Sequence, residues 1–222
     1  MKNNFKLSPW PYYSKEEIIK SSQILSSGKV NYLTGEQGKL FEREFSKFCD
    51  TKYSIALANG TVALDLALKV LDISKGDEVI VTPRSYIASV SSVFNCGAKP
   101  IFADVDINSG NITSGTILKK ITKKTKAIIC VHLGGWPCEM DSIMKLAKKH
   151  NLFVIEDCAQ AHGAIYKNKS VGSIGDIGTW SFCQDKIIST GGEGGMLTTN
   201  SEEIYEKVWH RDVGRIPVNV HF

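Results

Sequence analysis

Arginine is scarce in this 222-residue chain. Four are present (Arg43, Arg84, Arg211, Arg215), so the net charge of +4 rests on dispersed lysines. Only Lys119-Lys120 and Lys123-Lys124 cluster, and they read as a solvated helix end and loop, so no nucleic-acid partner is expected. No window is long and apolar enough to span a bilayer, and Met1-Lys2-Asn3-Asn4-Phe5-Lys6 lacks the apolar core of a signal peptide. The six cysteines form no CxxC pair and no zinc-like spacing with the five histidines. The expectation is a cytoplasmic chain with buried, reduced thiols, no metal and no membrane partner. A G-x-G-x-x-G after the first strand is missing, which disfavours a sugar-nucleotide oxidoreductase on a Rossmann sheet, and a P-loop is also absent.

What is present is ordinary globular material, 42% hydrophobic and 23% charged, in a chain long enough to bury a sizeable core. Residues 1–50 read as an N-terminal segment with two helices. The first 13 residues are irregular, and Ser14-x-x-Glu17 is a capping box for a helix closed by Gly28. Phe41, Phe45 and Phe48 then recur at helical spacing as a core-facing stripe. Residues 51–222 read as one large domain. Strands at 53–58, 77–82, 99–103, 126–132 and 152–155 alternate with helices. An excursion or hairpin at 165–172 follows, then strands at 177–182 and 195–199 and a helix from 201 to about 211. Strands that are continuous apolar runs are buried on both faces, so the expected class is α/β with a mostly parallel sheet and helices on both faces.

The chemistry concentrates in two stretches. Val154-Ile155-Glu156-Asp157 puts a carboxylate at the C-terminal end of a buried strand, where open α/β sheets place ligand groups. Alternation sends the adjacent Glu156 to the other side. The second stretch, 179–195, passes from strand through one lysine, Lys186, into four glycines around Glu193, so the lysine is aimed. An aspartate at a strand end and a lysine at a later strand end are the minimum equipment for pyridoxal phosphate. The amine condenses with the aldehyde, and the acid keeps the ring nitrogen protonated. Asn59-Gly60-Thr61, between strand and helix, is a helix cap and also a ready phosphate site.

The set Glu156-Asp157-x-x-Gln160-Ala161-His162-Gly163, Ser181-Phe182, Lys186 and Gly192-Glu193-Gly194-Gly195 resembles the DegT/StrS family of sugar aminotransferases, within fold type I of the pyridoxal-phosphate enzymes. The match runs from about residue 8 to the end. It implies that Gly60, Thr61 and Ser181 hold the cofactor phosphate, that Tyr86 stacks on the ring, and that Gln160 lies near the phenolic oxygen. By the same resemblance Asp157 pairs with the ring nitrogen and Lys186 is the catalytic amine. Relatives with histidine in place of that lysine are dehydratases, so Lys186 favours amino transfer. The plain alternatives stay beside these roles: Ser181 as a strand serine, Tyr86 as a tyrosine packed at a helix start, His162 as a satisfied core histidine, Glu193 as a turn former.

The resemblance further implies a nucleotide-linked keto sugar and an amino donor, usually glutamate, as reaction partners, a homodimer in the full-length form, and service in surface polysaccharide, lipopolysaccharide or glycoside biosynthesis. Such enzymes carry a small C-terminal domain, and the chain stops soon after the large-domain helix. The expectation is therefore a truncated form with weak turnover or none, or a catalytically impaired fragment that still binds cofactor.

Overall fold

The computed structural model describes residues 10–211 and divides into a unit up to Phe41 and a unit from Glu42 onward. Most of the irregular start and the tail from 212, on which expectations were placed, lie outside the described residues. In the first unit α1 (Lys15–Ser27) opens with the reciprocal capping box: Glu17 N–H donates to Ser14 Oγ at 3.2 Å, and Ser14 N–H to the Glu17 carboxylate at 2.6 Å. It closes on Gly28 at φ 69°, a left-handed conformation that side chains resist. Helix α2 (Gln37–Phe48) begins in this unit and ends in the second. Of its aromatic stripe, Phe45 alone is core; it meets Trp180 and Phe182 edge-on at 5.1 and 5.2 Å. Phe41 is half-buried, and Phe48, in the last turn, is 49% exposed.

The second unit is a seven-stranded sheet of β1 (Tyr53–Leu57), β2 (Glu78–Val81), β3 (Lys99–Phe102), β4 (Thr125–Val131), β5 (Phe153–Asp157), β8 (Ile177–Ser181) and β9 (Gly195–Thr199). A small hairpin, β6 (Ile165–Tyr166) and β7 (Lys169–Ser170), stands apart from it. The strand order is β1-β9-β8-β5-β4-β2-β3. Six strands run the same way; β9 opposes both its neighbours because a loop, 182–194, joins it to β8 without a crossover helix. Helices α3 (Gly60–Val70), α4 (Ala88–Asn95) and α7 (Glu202–Arg211) cover one face over Ile55, Val79, Ile129, Ile155 and Leu197. Each such buried side chain contributes about 1.5–3 kcal/mol. Alternate residues, among them Ile80, Ile128, Val154 and Trp180, turn to the other face, where α6 (Met140–His150), with α5 (Ser114–Leu118) beside it, packs on β5.

The shared direction of six strands brings Leu57, Val81, Val131, Asp157 and Ser181 to one end of the sheet, together with the loops that follow them. No helix among the described residues is long and apolar enough to cross a membrane.

Candidate active site

At that end lies a cavity of about 450 Å³. Gly60, Thr61, Tyr86, Asp157, Gln160, Ser181 and Lys186, all seven residues singled out in the sequence, line it. Asp157 and Ser181 end β5 and β8, Gly60 and Thr61 open the helix after β1, and Tyr86, Gln160 and Lys186 lie on the segments after β2, β5 and β8.

The helix end is built by close approach. Asn59 caps α3 with extended backbone, and its Oδ1 accepts from Val62 N–H at 2.9 Å. The first-turn amides of Gly60 and Thr61 have no place in the helical ladder, and both residues face the cavity. A Cβ on Gly60 would lie 2.8 Å from Ser181 Cβ, so glycine is what lets α3 touch the end of β8. Gly195 stands opposite both Leu57 and Ser181, and a Cβ there would lie 2.3 Å from Asn59 O. Ser181 is buried; its Oγ accepts from Cys183 N–H at 3.4 Å, which leaves its own hydrogen for a ligand.

Asp157 is 7% exposed. Its Oδ2 accepts from Ser89 Oγ at 2.7 Å and its Oδ1 from Ala159 N–H at 3.2 Å. Burial pushes its carboxyl above the ordinary aspartate value, against the pull of Ser89, the Ala159 amide and the charge of Lys186. Such an acid gains from a cationic partner. Glu156 points to the opposite face, as alternation requires. There Oε2 pairs with His132 Nε2 at 2.9 Å, and Oε1 accepts from Ile174 and Gly175 N–H at 2.8 and 2.7 Å. Burial works to raise its pKa, but His132 and the backbone amides outweigh it and hold the carboxyl below its usual value. Cys138 N–H donates to His132 Nδ1 at 3.1 Å, so the ring hydrogen is on Nε2, facing Glu156. The Cys158 sulfur is close by, making a buried trio with donor atoms within 4.8 Å of one another that sequence spacing gave no hint of. Its histidine and glutamate are already engaged by protein groups, and the trio ties β4 and β5 to the turn before β8.

Lys186 is not at a strand end. Strand β8 stops at Ser181, and the lysine rides on the loop 182–194, whose base is closed by Phe182 N–H to Gly194 O at 2.7 Å and Gln184 N–H to Gly192 O at 3.0 Å. Its own N–H donates to Cys183 O at 3.0 Å, a turn that carries the side chain into the cavity with 19% exposure. Nζ lies 3.3 Å from Asp185 Oδ2, an exposed acid that holds it weakly. Tyr86, 71% exposed, stands at the mouth ahead of α4. Gln160 commits its amide oxygen to Gly134 N–H at 2.8 Å, so its NH₂ group is what remains for a ligand. Glu193 also lines the cavity; its Oε1 accepts from the Cys183 thiol and its carbonyl from Thr190 Oγ1 at 2.8 Å, which braces the loop.

His162 departs from expectation. It is a core histidine against Trp180 and Phe182, at ring distances of 5.4 and 5.5 Å, but not a satisfied one: neither ring nitrogen reaches hydrogen-bonding geometry with a described partner. Burial drives its pKa down to about 4, and the Ser181 backbone offsets this only in part. Ser85 and Ser89 were missed altogether. Their hydroxyls are 2.7 Å apart, and Ser89 reaches Asp157. The signal available was their i, i+4 spacing just after a strand end.

With this geometry in hand, the comparisons are specific. Residues 11–213 match the model of the DegT/DnrJ/EryC1/StrS aminotransferase family. The chain is 50% identical over 194 residues to the GDP-perosamine synthase of Escherichia coli O157:H7, covering 87% of this chain and 51% of that protein. It is 47% identical over 196 residues to the dTDP-3-amino-3,6-dideoxy-alpha-D-galactopyranose transaminase of Aneurinibacillus thermoaerophilus, covering 88% and 53%. The X-ray structure of an aminotransferase from Psychrobacter cryohalolentis superposes with a TM-score of 0.91 at 62% identity, over 92% of this chain and 52% of that one. The chain thus spans about half the length of the curated relatives it matches.

Proposed function

Since the chain belongs to the DegT/DnrJ/EryC1/StrS aminotransferase family, we propose that it serves a pyridoxal-phosphate-dependent transfer of an amino group, from glutamate, to the keto sugar of a nucleotide-sugar. The product feeds lipopolysaccharide, another surface polysaccharide or a glycoside, and the enzyme works in the cytoplasm as a homodimer. The observation that carries the reading is the single cavity lined by an aimed amine, a buried carboxylate in need of a cation, and a helix N-terminus.

The residues present fit the cofactor. Gly60 leaves room for a phosphate at the start of α3, where a side chain would collide with Ser181. Pyridoxal phosphate, when bound, supplies an aldehyde for an amine and a ring that holds electrons. The amides of Gly60 and Thr61 and the Ser181 hydroxyl would hold the phosphate at the positive helix end. Asp157 would hold a proton on the ring nitrogen, Tyr86 would cover one ring face, and the NH₂ of Gln160 would serve the phenolic oxygen. Lys186 would hold the cofactor at its aldehyde carbon through Nζ, with loss of water, and the same nitrogen, when free, would be the group placed to move a proton.

The test is to incubate the protein with cofactor, glutamate and a panel of nucleotide-linked keto sugars, and to follow the amino sugar by mass spectrometry. Glutamate-dependent product that vanishes in Lys186→Ala is expected. Undiminished transfer in that variant would overturn the reading.

A further inference from the structure

The acid at the bottom of the cavity is not held by its own strand alone. Ser89, fully buried in the first turn of α4, places Oγ 2.7 Å from Asp157 Oδ2 and 2.7 Å from Ser85 Oγ. A serine hydroxyl has one hydrogen, and an ionised carboxylate only accepts. The Ser89 hydrogen therefore goes to Asp157, and Ser85, a residue of the cavity wall, donates its own to Ser89. The result is a directed chain of hydroxyls from the wall to the acid. With Ala159 N–H on Oδ1, both carboxylate oxygens are tied and one orientation is fixed. Burial alone does not produce such a bond: Ser92, also fully buried on α4, leaves its hydroxyl without a partner among the described residues. A helix serine more often turns its hydroxyl back to its own helix.

We propose that Ser89 is a positioning residue that acts through Asp157, fixing its carboxylate and weakening its hold on protons so that the proton shared with the ring nitrogen of bound pyridoxal phosphate stays on the ring. The inference rests on the cofactor reading above and adds to it a residue outside the set that the sequence pointed to. Ser85 orients Ser89 in turn. Losing the Ser89 hydroxyl lets Asp157 draw that proton away, which makes the ring less cationic and the lysine-bound nitrogen more basic.

The experiment uses the chain loaded with pyridoxal phosphate, with Ser89→Ala and Ser89→Thr beside it. Two readouts are taken, the cofactor dissociation constant and the pH midpoint of the visible band of the lysine-bound cofactor; a merely structural serine would leave that midpoint alone. In Ser89→Ala the affinity is expected to fall about tenfold, the worth of one hydrogen bond to a charged group. The midpoint is expected to move upward, and Ser89→Thr, which keeps the hydroxyl, to restore both. Unchanged affinity and midpoint in Ser89→Ala overturn the inference. Should that variant not fold, Ser85→Ala breaks only the outer link and is expected to shift both readouts the same way by less, about threefold in affinity; no shift there is equally fatal. A wild-type protein that gives no visible band with the cofactor sinks the cofactor reading itself. A normal wild type with an indifferent Ser89→Ala sinks the serine alone.

Discussion

Glu156 and Asp157 follow one another on β5, yet alternation sends them to opposite faces, and their surroundings move their proton affinities in opposite directions. Glu156 receives three N–H groups, one from His132 and two from the consecutive amides of Ile174 and Gly175, and has no use for a ligand. Asp157 receives one amide and one hydroxyl and opens on a cavity. A buried acid that the protein satisfies is a fastening; one that it leaves short of charge is an invitation to a cation. The linkage signs follow. Glu156, its pKa lowered, contributes stability above its unfolded value that is lost as pH falls through its folded one. Asp157, its pKa raised, favours the fold when protonated and weakens it as pH rises through its folded value, until a cation arrives.

The sharpest way to break this comparison is to remove each acid. Glu156→Ala strands the His132 ring N–H and the amides of Ile174 and Gly175 in the core, and should cost about 3–5 kcal/mol in urea unfolding. Asp157→Asn should leave the cofactor-free protein within about 1 kcal/mol of wild type while abolishing tight cofactor binding. Equal costs for the two would erase the distinction. On Glu156's side of the sheet His162 is a buried histidine with both ring nitrogens unsatisfied among the described residues. Its pKa is lowered to about 4, so the fold favours the neutral ring: the stabilisation is complete above pH 6.5 and is lost as pH falls toward 4. The loss reaches up to about 3 kcal/mol at 1.36 kcal/mol per unit. His162→Phe should flatten the dependence of the urea midpoint on pH across that window.

Smaller effects sharpen the Asp157 side. Gly60→Ala presses a methyl on Ser181 and should cost about 1–3 kcal/mol together with phosphate affinity. Gly195→Ala meets the backbone oxygen of Asn59, which cannot swing aside, and should cost more than Gly60→Ala; both are read from thermal melts. Asn59→Ala removes the α3 cap bond to Val62 N–H for about 1 kcal/mol and should weaken binding of the cofactor phosphate slightly.

Which of these features a reader of the sequence can see depends on how local their causes are. The capping box at Ser14 and Glu17, the strand carrying Glu156 and Asp157, and their alternation are set by neighbours a few residues apart, and so is the cap at Asn59. The α/β class follows from apolar runs. Long-range pairings stayed hidden. The bond from Ser89 to Asp157 joins residues 68 positions apart, and His132 meets Glu156 across 24. Neither has a local pattern, since each depends on strand order and register. The reversed strand β9 was legible in the lack of a crossover helix after β8, and the expected strand bounds already left Lys186 beyond the strand's end. His162 was misjudged because a histidine in an apolar run reads alike whether or not its nitrogens find partners.

The central claim is that Lys186 and Asp157 grip one cofactor. Reducing the protein with borohydride after adding pyridoxal phosphate, and mapping the modified peptide by mass spectrometry, tests it most directly. The account predicts a single reduced adduct on Lys186, sharply diminished in Asp157→Asn. An adduct spread over surface lysines, or one on Lys186 indifferent to the loss of the Asp157 charge, would contradict it.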